Sequence, residues 1–143
     1  MLLNLLIAWC LLALTVTIHA AGVAAIARRV FGASFRPDTR LWPFTWLLVR
    51  VAWQLIILHV IEITLWAWFF WWQECLPDME SALYFSGVTY ATVGYGDLVL
   101  PQEWRLFGPI EGLTGILMCG LSVSFFFAIV TKLFRGNTVM ESK

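Results

Sequence analysis

A short glycine-containing segment, TVGYGD at residues 92–97, has the composition to bind a cation through its backbone. Gly94 and Gly96 alternate with residues that carry side chains, and glycine reaches positive φ at little cost. Alternating backbone conformations can turn successive carbonyl oxygens toward one line, whereas an extended strand points them to opposite sides. Several copies of such a segment around an axis would replace the water shell of a monovalent cation.

The segment resembles the selectivity filter of potassium channels, and its flanks resemble the same family. Residues Ala82–Ser86 and Thr89 look like the pore helix of that family, and Gly115 and Gly120 fall where relatives carry inner-helix glycines. The resemblance covers roughly residues 46–135. A plain turn or a phosphate-binding loop is the alternative. A phosphate-binding loop needs a strand before it and a helix directly after it, and neither is indicated here.

The resemblance implies a role for each residue of this segment. Four residues would bind K⁺ through their carbonyl oxygens, and Gly96 would form the outer turn; the four are Thr92, Val93, Gly94 and Tyr95. Asp97 would brace that turn through a hydrogen bond to Tyr84, and Thr89 would support it from the pore helix. Some relatives brace the filter with a glutamate at the position of Val88, and this chain lacks that glutamate. The family also implies a homotetramer, since one chain supplies only one strand of oxygens.

Composition places the chain in a membrane. Hydrophobic residues make up 61% of its 143 residues, and the mean hydropathy is +0.82. The charged residues cluster between long apolar runs, and they leave no basic face for nucleic acid. The cysteines show no metal-ligand spacing. We expect Cys75 to be a free thiol, with a disulfide between subunits as the alternative.

The apolar runs predict an all-α membrane protein with three transmembrane helices, a re-entrant pore helix and a filter loop. The first run is a transmembrane helix rather than a signal peptide, because it lacks a positive n-region and continues past the cleavage-like site. The pore domain should cover 44–135, with the tail at 136–143 cytoplasmic. The predicted elements are the N-terminal helix 1–27, the arginine-rich loop 28–43, the outer helix 44–72, the pore helix 79–90, the filter 92–97 and the inner helix 109–134.

The positive-inside rule fixes the predicted orientation. Four arginines precede the second span and should be cytoplasmic; they are Arg28, Arg29, Arg36 and Arg40. The N-terminus then lies outside and the C-terminus inside, in a multi-pass protein of a prokaryotic inner or plasma membrane. The same arginines are candidate contacts for anionic lipid head groups, and the alternative is that they only set the topology.

Two ionisable residues stand near the middle of the second span. His59 and Glu62 are three positions apart and therefore share one helix face. Ionisable groups at this depth usually face protein or water. They form either a proton-sensitive pair that biases the pore or a hydrogen-bonded pair that fixes helix packing. We expect no zinc site, because His19 and His59 are the only histidines and no third ligand is evident.

The last span carries the gating candidates. Gly115 and Gly120 can allow close helix packing, and the resemblance adds a bend at one of them that opens the inner helix; the two explanations are compatible. The spacing from the filter predicts that Val123, Phe127 and Thr131 line an inner vestibule. Phe127 could close that vestibule by excluding water, or it could pack between helices. Glu111, in the expected first turn of this span, suits the positive end of the helix dipole.

Taken together, these features predict a potassium-selective channel that conducts K⁺ passively through a tetrameric pore. No enzymatic activity and no cofactor other than the permeant K⁺ are expected. No voltage-sensor helix with regularly spaced arginines and no ligand-binding domain are evident. The alternative is a non-conducting or weakly selective membrane subunit that retains the pore fold.

Overall fold

The computed structural model describes residues 2–32 and 41–141, with side chains placed over 2–32 and 42–132. These ranges contain four α-helices, one short 3-10 helix and no strand. In chain order they are α1 Leu2–Phe31, α2 Leu41–Trp72, α3 Met79–Tyr90, the 3-10 turn Gln102–Trp104 and α4 Phe107–Glu141. Three segments are long and apolar enough to cross a membrane: Leu2–Phe31, Trp42–Trp72 and Gln102–Lys132. The predicted all-α membrane fold, with three spans and one short helix, is confirmed.

The helices are longer than the apolar runs that predict them. Arg28 and Arg29 form the last turn of α1 instead of opening a loop. Cations are favoured at that helix end, so the polar residues extend the helix. The inner helix likewise begins at Phe107 and continues through residues predicted to be tail. The short helix α3 has the predicted bounds. Arg36 and Arg40 lie outside the described residues.

Contacts at both ends fix the relative direction of α1 and α4. The side-chain amide of Asn4 donates to the carbonyl of Glu103 at 3.0 Å. At the opposite end the Lys132 ammonium lies 4.1 Å from the centre of the Phe31 ring. The two helices therefore run parallel, and α2 runs antiparallel to both. The arginines that end α1 share one end of the molecule with Lys132.

Two apolar clusters hold the spans together near their two ends. The cluster near Asn4 is built around Trp66, Phe69, Phe70, Phe85 and Phe107; the cluster near Lys132 contains Ile26, Val30, Val51, Leu55 and Ile129. In lipid such packing is driven by van der Waals contact rather than by release from water. Buried polar side chains find partners between the spans, as when the indole of Trp66 donates to Thr15 at 3.1 Å, whereas Oε2 of Glu111 has none in the described part of the chain.

Helix α3 enters the membrane region without crossing it. Its 12 residues rise only about 18 Å, less than the ~30 Å of a hydrocarbon core. Asp78 caps its start by accepting the Ser81 backbone N–H at 2.7 Å. This bond holds the pKa of Asp78 below its usual range. A carboxylate is among the side chains that this position of a helix favours.

The end of α3 rests directly on α4. A Cβ placed on Gly112 would lie 3.4 Å from the Thr89 carbonyl oxygen, and one on Gly115 only 2.0 Å from that of Tyr90. The close-packing explanation of Gly115 is therefore correct. A Cβ on Gly120 would meet nothing within 4 Å, so packing within this chain does not require glycine there.

We expect Gly115→Ala to destabilise the protein by at least about 2 kcal/mol, because the added methyl group forces α3 and α4 apart. Gly120→Ala is the matched control. It should leave stability unchanged or raise it by up to about 1 kcal/mol, since alanine favours helix. Thermal unfolding of both purified variants measures the difference. Equal unfolding midpoints would contradict the contact between Gly115 and Tyr90.

Candidate functional site

The segment that follows α3 alternates in backbone conformation. Thr92, Gly94 and Gly96 have positive φ, of 60°, 55° and 78°, whereas the residues between them do not. The left-handed conformation expected of the two glycines is present. The same conformation at Thr92 was not foreseen. This conformation is unfavourable by roughly 1–2 kcal/mol for a residue with a side chain. In the sequence, only the position of Thr92 at the start of the glycine motif indicates it.

Hydrogen bonds to α3 set the direction of the first carbonyls. The N–H groups of Val93 and Gly94 both donate to the Val88 carbonyl, at 2.8 and 3.2 Å, and Thr92 donates to Thr89 at 2.9 Å. In a trans peptide the carbonyl of one residue points opposite to the N–H of the next. No peptide in the described ranges is cis. The carbonyl oxygens of Thr92 and Val93 therefore both point away from α3.

The face of this segment opposite α3 is open. Val93 is 52% exposed and Tyr95 is 70% exposed. Within the described part of the chain, no hydrogen bond ends on a carbonyl oxygen of residues 92–96. Backbone oxygens are strong acceptors that need partners. The carbonyl oxygens of Thr92 and Val93 are therefore available to a ligand from outside the chain.

The outer end of the segment is tied back to α3. The Tyr84 hydroxyl donates to the Asp97 carboxylate at 2.7 Å, as expected from the sequence, and Asp97 also accepts the Leu98 N–H at 3.1 Å. The bond from Tyr84 holds the pKa of Asp97 below its usual range. Asp97 therefore remains a charged acceptor even in moderately acidic solution.

Glu111 lies against α3, and the prediction that it sits in the first turn of the last span is wrong. It is completely buried in the second turn of α4 and contacts the hydroxyl of Ser86, so it does not sit in the first turn near the dipole. The Ser86 hydroxyl also lies 2.8 Å from the carbonyl of Ile63. Since serine has one proton and a carbonyl only accepts, donation to Ile63 leaves Glu111 to donate as a neutral acid.

His59 and Glu62 belong to a larger buried group, which we call the midspan cluster: His19, His59, Glu62, Tyr90 and Ser122. Glu62 is fully buried, and its closer histidine is His19 of α1, with Nδ1 2.9 Å from Oε1. The Nδ1 of His59 lies 3.6 Å from Oε2. The predicted pair is thus incomplete. His19 was missed because it lies 43 residues away and only helix packing brings it to Glu62.

The other members connect the two histidines. The Tyr90 hydroxyl donates to Glu62 and lies 3.0 Å from His59 Nδ1. Ser122 Oγ lies 3.0 Å from the Nε2 of His59 and 3.4 Å from that of His19. The cluster therefore links α1, α2, α3 and α4. His19, His59 and Glu62 each have a ligand atom within 4.8 Å of the others, so the expectation that the histidines lack a third metal ligand is wrong.

The predicted vestibule residues lie on the outward face of α4. Val123 and Phe127 are each 69% exposed, whereas Phe125 and Phe126 pack against the apolar cluster near Lys132. Phe127 is therefore not packed between helices of its own chain. Its carbonyl accepts the hydroxyl of Thr131 at 2.9 Å.

The cysteines take no part in these sites. Cys10 and Cys119 are exposed free thiols, and Cys75 is a buried free thiol in the turn between α2 and α3. Burial raises the pKa of Cys75 to about 11. It is therefore protonated and unreactive near neutral pH, as a structural cysteine is.

Comparison with known proteins identifies the module that contains the open segment. Residues 55–132 match the family model described as ion channel, which covers more than half of the chain. The match includes the second half of α2, all of α3, residues 92–97 and α4 to Lys132; α1 lies before it. No curated protein and no solved structure matches the chain significantly. The chain is a membrane protein that belongs to the ion channel family.

Proposed function

We propose that this ion channel is selective for K⁺ and conducts it passively through a pore built by four copies of the chain. The observation that carries the proposal is that the carbonyl oxygens of Thr92 and Val93 have no partner among the described residues and are turned away from α3 by the bonds from Val93 and Gly94 to Val88. Carbonyl oxygens without a partner at membrane depth need a ligand. A dehydrated monovalent cation supplies one, because carbonyl dipoles replace its hydration shell.

A single chain offers oxygens from one side only, and this supports assembly around an axis. Val93, Tyr95, Val123 and Phe127 are large apolar residues that the chain leaves exposed. Four copies would surround the ion with the carbonyls of Thr92, Val93, Gly94 and Tyr95, and the Thr92 hydroxyl would add an inner oxygen. The dipole of α3 adds partial negative charge at the end from which this segment starts.

The distribution of charge supports a proposed orientation and a lipid partner. Arg28, Arg29 and Lys132 lie at one end of the described chain, while Asp78, Asp97 and Glu103 lie toward the other. By the positive-inside rule the basic end is cytoplasmic, the filter mouth faces outward and the N-terminus is external. Anionic lipid head groups are the expected partners of Arg28 and Arg29.

Purified protein in liposomes should carry K⁺ down its gradient, with block by Ba²⁺ and a reversal potential that follows K⁺ rather than Na⁺. Gly94→Ala should reduce K⁺ flux or K⁺ over Na⁺ selectivity by roughly tenfold, since alanine is unfavourable by about 1–2 kcal/mol at φ 55°. Gly87→Ala is the matched control, because its Cβ also meets nothing within 4 Å but Gly87 is helical. It should conduct normally.

Each rival function gives a different result in the same assay. A folded, reconstituted parent protein without flux would indicate a non-conducting subunit. Flux with equal reversal under K⁺ and Na⁺ gradients would indicate a weakly selective channel. Equal behaviour of Gly94→Ala and Gly87→Ala would remove the role proposed for the backbone at residue 94.

External acid should close the parent channel only below the usual titration range of aspartate. Asp97 has a lowered pKa, so the charged brace is complete above that range and is lost as pH falls through the lowered value. Tyr84→Phe removes the donor, so its K⁺ flux should begin to fall with acid at a higher pH than that of the parent. In Asp97→Asn this loss of flux with acid should be absent. Identical pH profiles of flux for the parent and Tyr84→Phe would refute the brace.

Phe127→Ala should raise resting K⁺ flux severalfold, because a smaller side chain allows water to remain in the vestibule. Phe126→Ala makes the same change on a residue that packs against the cluster near Lys132. That control should lower thermal stability without raising flux. Unchanged flux in Phe127→Ala would eliminate this residue as a gate.

A further inference from the structure

The midspan cluster contains more hydrogen-bonding groups than helix packing alone requires. Its five side chains come from four helices and, apart from His59, are buried or nearly so. The contact from Tyr90 to Glu62 and the other close contacts join them into a closed ring. Ionisable groups at this depth are unfavourable unless a partner neutralises them. The identity of that partner can be derived from the donors and acceptors.

Without a bound ion, the protons of the cluster do not satisfy every contact in the ring. Ionised Glu62 accepts from His19 Nδ1 and from Tyr90, so His59 Nδ1 must donate to the Tyr90 oxygen. Ser122 has one proton for two neighbouring Nε2 atoms. If both imidazoles carry their proton on Nδ1, one of these Nε2 atoms lacks a donor. The ring is thus incomplete by itself, and the ionised Glu62 within it favours a cation.

We propose that the midspan cluster is a binding site for a divalent transition-metal ion of the zinc type. The first ligands are Nδ1 of His19, Nδ1 of His59 and the carboxylate of Glu62. Two imidazoles and a carboxylate form a known ligand set for zinc, in which a fourth position stays open. The Tyr90 hydroxyl, 3.0 Å from His59 Nδ1, stands at that position. Mg²⁺ and Ca²⁺ are disfavoured, since they prefer oxygen ligands.

The spacing of the ligand atoms suits a tetrahedral ion. Bonds of roughly 2.0–2.1 Å place neighbouring ligands about 3.3 Å apart. In the structure, Oε1 of Glu62 lies 2.9 Å from Nδ1 of His19, and Oε2 of Glu62 lies 3.6 Å from Nδ1 of His59, so both contacts are near that value although they involve different oxygens. Binding then requires small side-chain adjustments, since the three ligand atoms already lie within 4.8 Å of each other.

Ser122 provides the outer support that metal-bound histidines need. A histidine that binds through Nδ1 carries its proton on Nε2 and almost always donates it to a nearby acceptor. Both Nε2 atoms lie within 3.4 Å of Ser122 Oγ, which has lone pairs for two donors. One serine can thus accept from both imidazole rings in the tautomer that a metal requires.

The position of the site gives the ion a structural consequence. Tyr90 stands two residues before Thr92, Ser122 stands two residues after Gly120, and His19 is the contribution of α1. A bound ion would therefore fasten α1 to the helices on either side of the open segment.

The test measures zinc binding directly and does not depend on ion conduction. Purified full-length protein in detergent is incubated with Zn²⁺, passed through a desalting column and assayed for zinc per protomer and for thermal midpoint. We expect one zinc ion per protomer and a raised midpoint, with Mg²⁺ giving no such effect. Glu62→Gln and His19→Gln should lose the bound zinc, and Ser122→Ala should weaken binding by about 10- to 100-fold. Glu103→Gln, a surface control, should bind as the parent does.

X-ray absorption of the zinc-loaded parent identifies the zinc ligands directly, so the test does not depend on whether the variants fold. Two imidazole ligands with oxygen would support the site. Sulfur ligation by the cysteines, zinc retained at parental level in Glu62→Gln, or no zinc retained by the folded parent would each overturn the proposal.

Discussion

The last turn of α3 is the constraint on which this structure depends. A helix ends with carbonyl groups that have no partner in the helix, and membrane depth offers little water to satisfy them. Here the carbonyls of Val88 and Thr89 accept N–H groups from Thr92, Val93 and Gly94. The last carbonyl groups of α3 and the N–H groups of the segment after it thereby supply each other's hydrogen-bond partners. The same bonds leave the carbonyls of Thr92 and Val93 free on the opposite side, so the chemistry of the open face follows from the helix ending.

Two buried carboxylates hold α3 from different directions. Glu62 of α2 accepts the hydroxyl of Tyr90 at the end of α3, while Glu111 of α4 contacts Ser86 one turn earlier. Each acid is fully buried, and each is neutralised differently. Glu62 has histidines beside it, whereas the proton balance at Ser86 leaves Glu111 as a neutral acid. Helix α3 is therefore positioned by polar contacts that apolar packing alone does not provide.

Much of the fold could be predicted because membrane spans and the glycine alternation are local patterns. The length of each apolar run, the capping residue Asp78 and the bond from Tyr84 to Asp97 all depend on short stretches of sequence. Helix rotation was not predictable, because spans that are apolar all around carry little periodicity to show which face turns inward. This is why His19 was not paired with Glu62, and why Gly115 and Gly120 could not be told apart. The gating roles of Gly120 and Phe127 stay predictions.

Helix α1 contacts the rest of the chain near both of its ends and at its middle, so a change in its tilt affects the other helices. Its 30 residues give a helix of about 45 Å, longer than the ~30 Å of a typical hydrocarbon layer, and tilting is one way in which such a helix keeps its apolar surface covered. Asn4, His19 and the Phe31 ring attach it at its two ends and its middle. A thinner or thicker bilayer changes the preferred lean of α1, and these attachments carry that change to α4 and to α2.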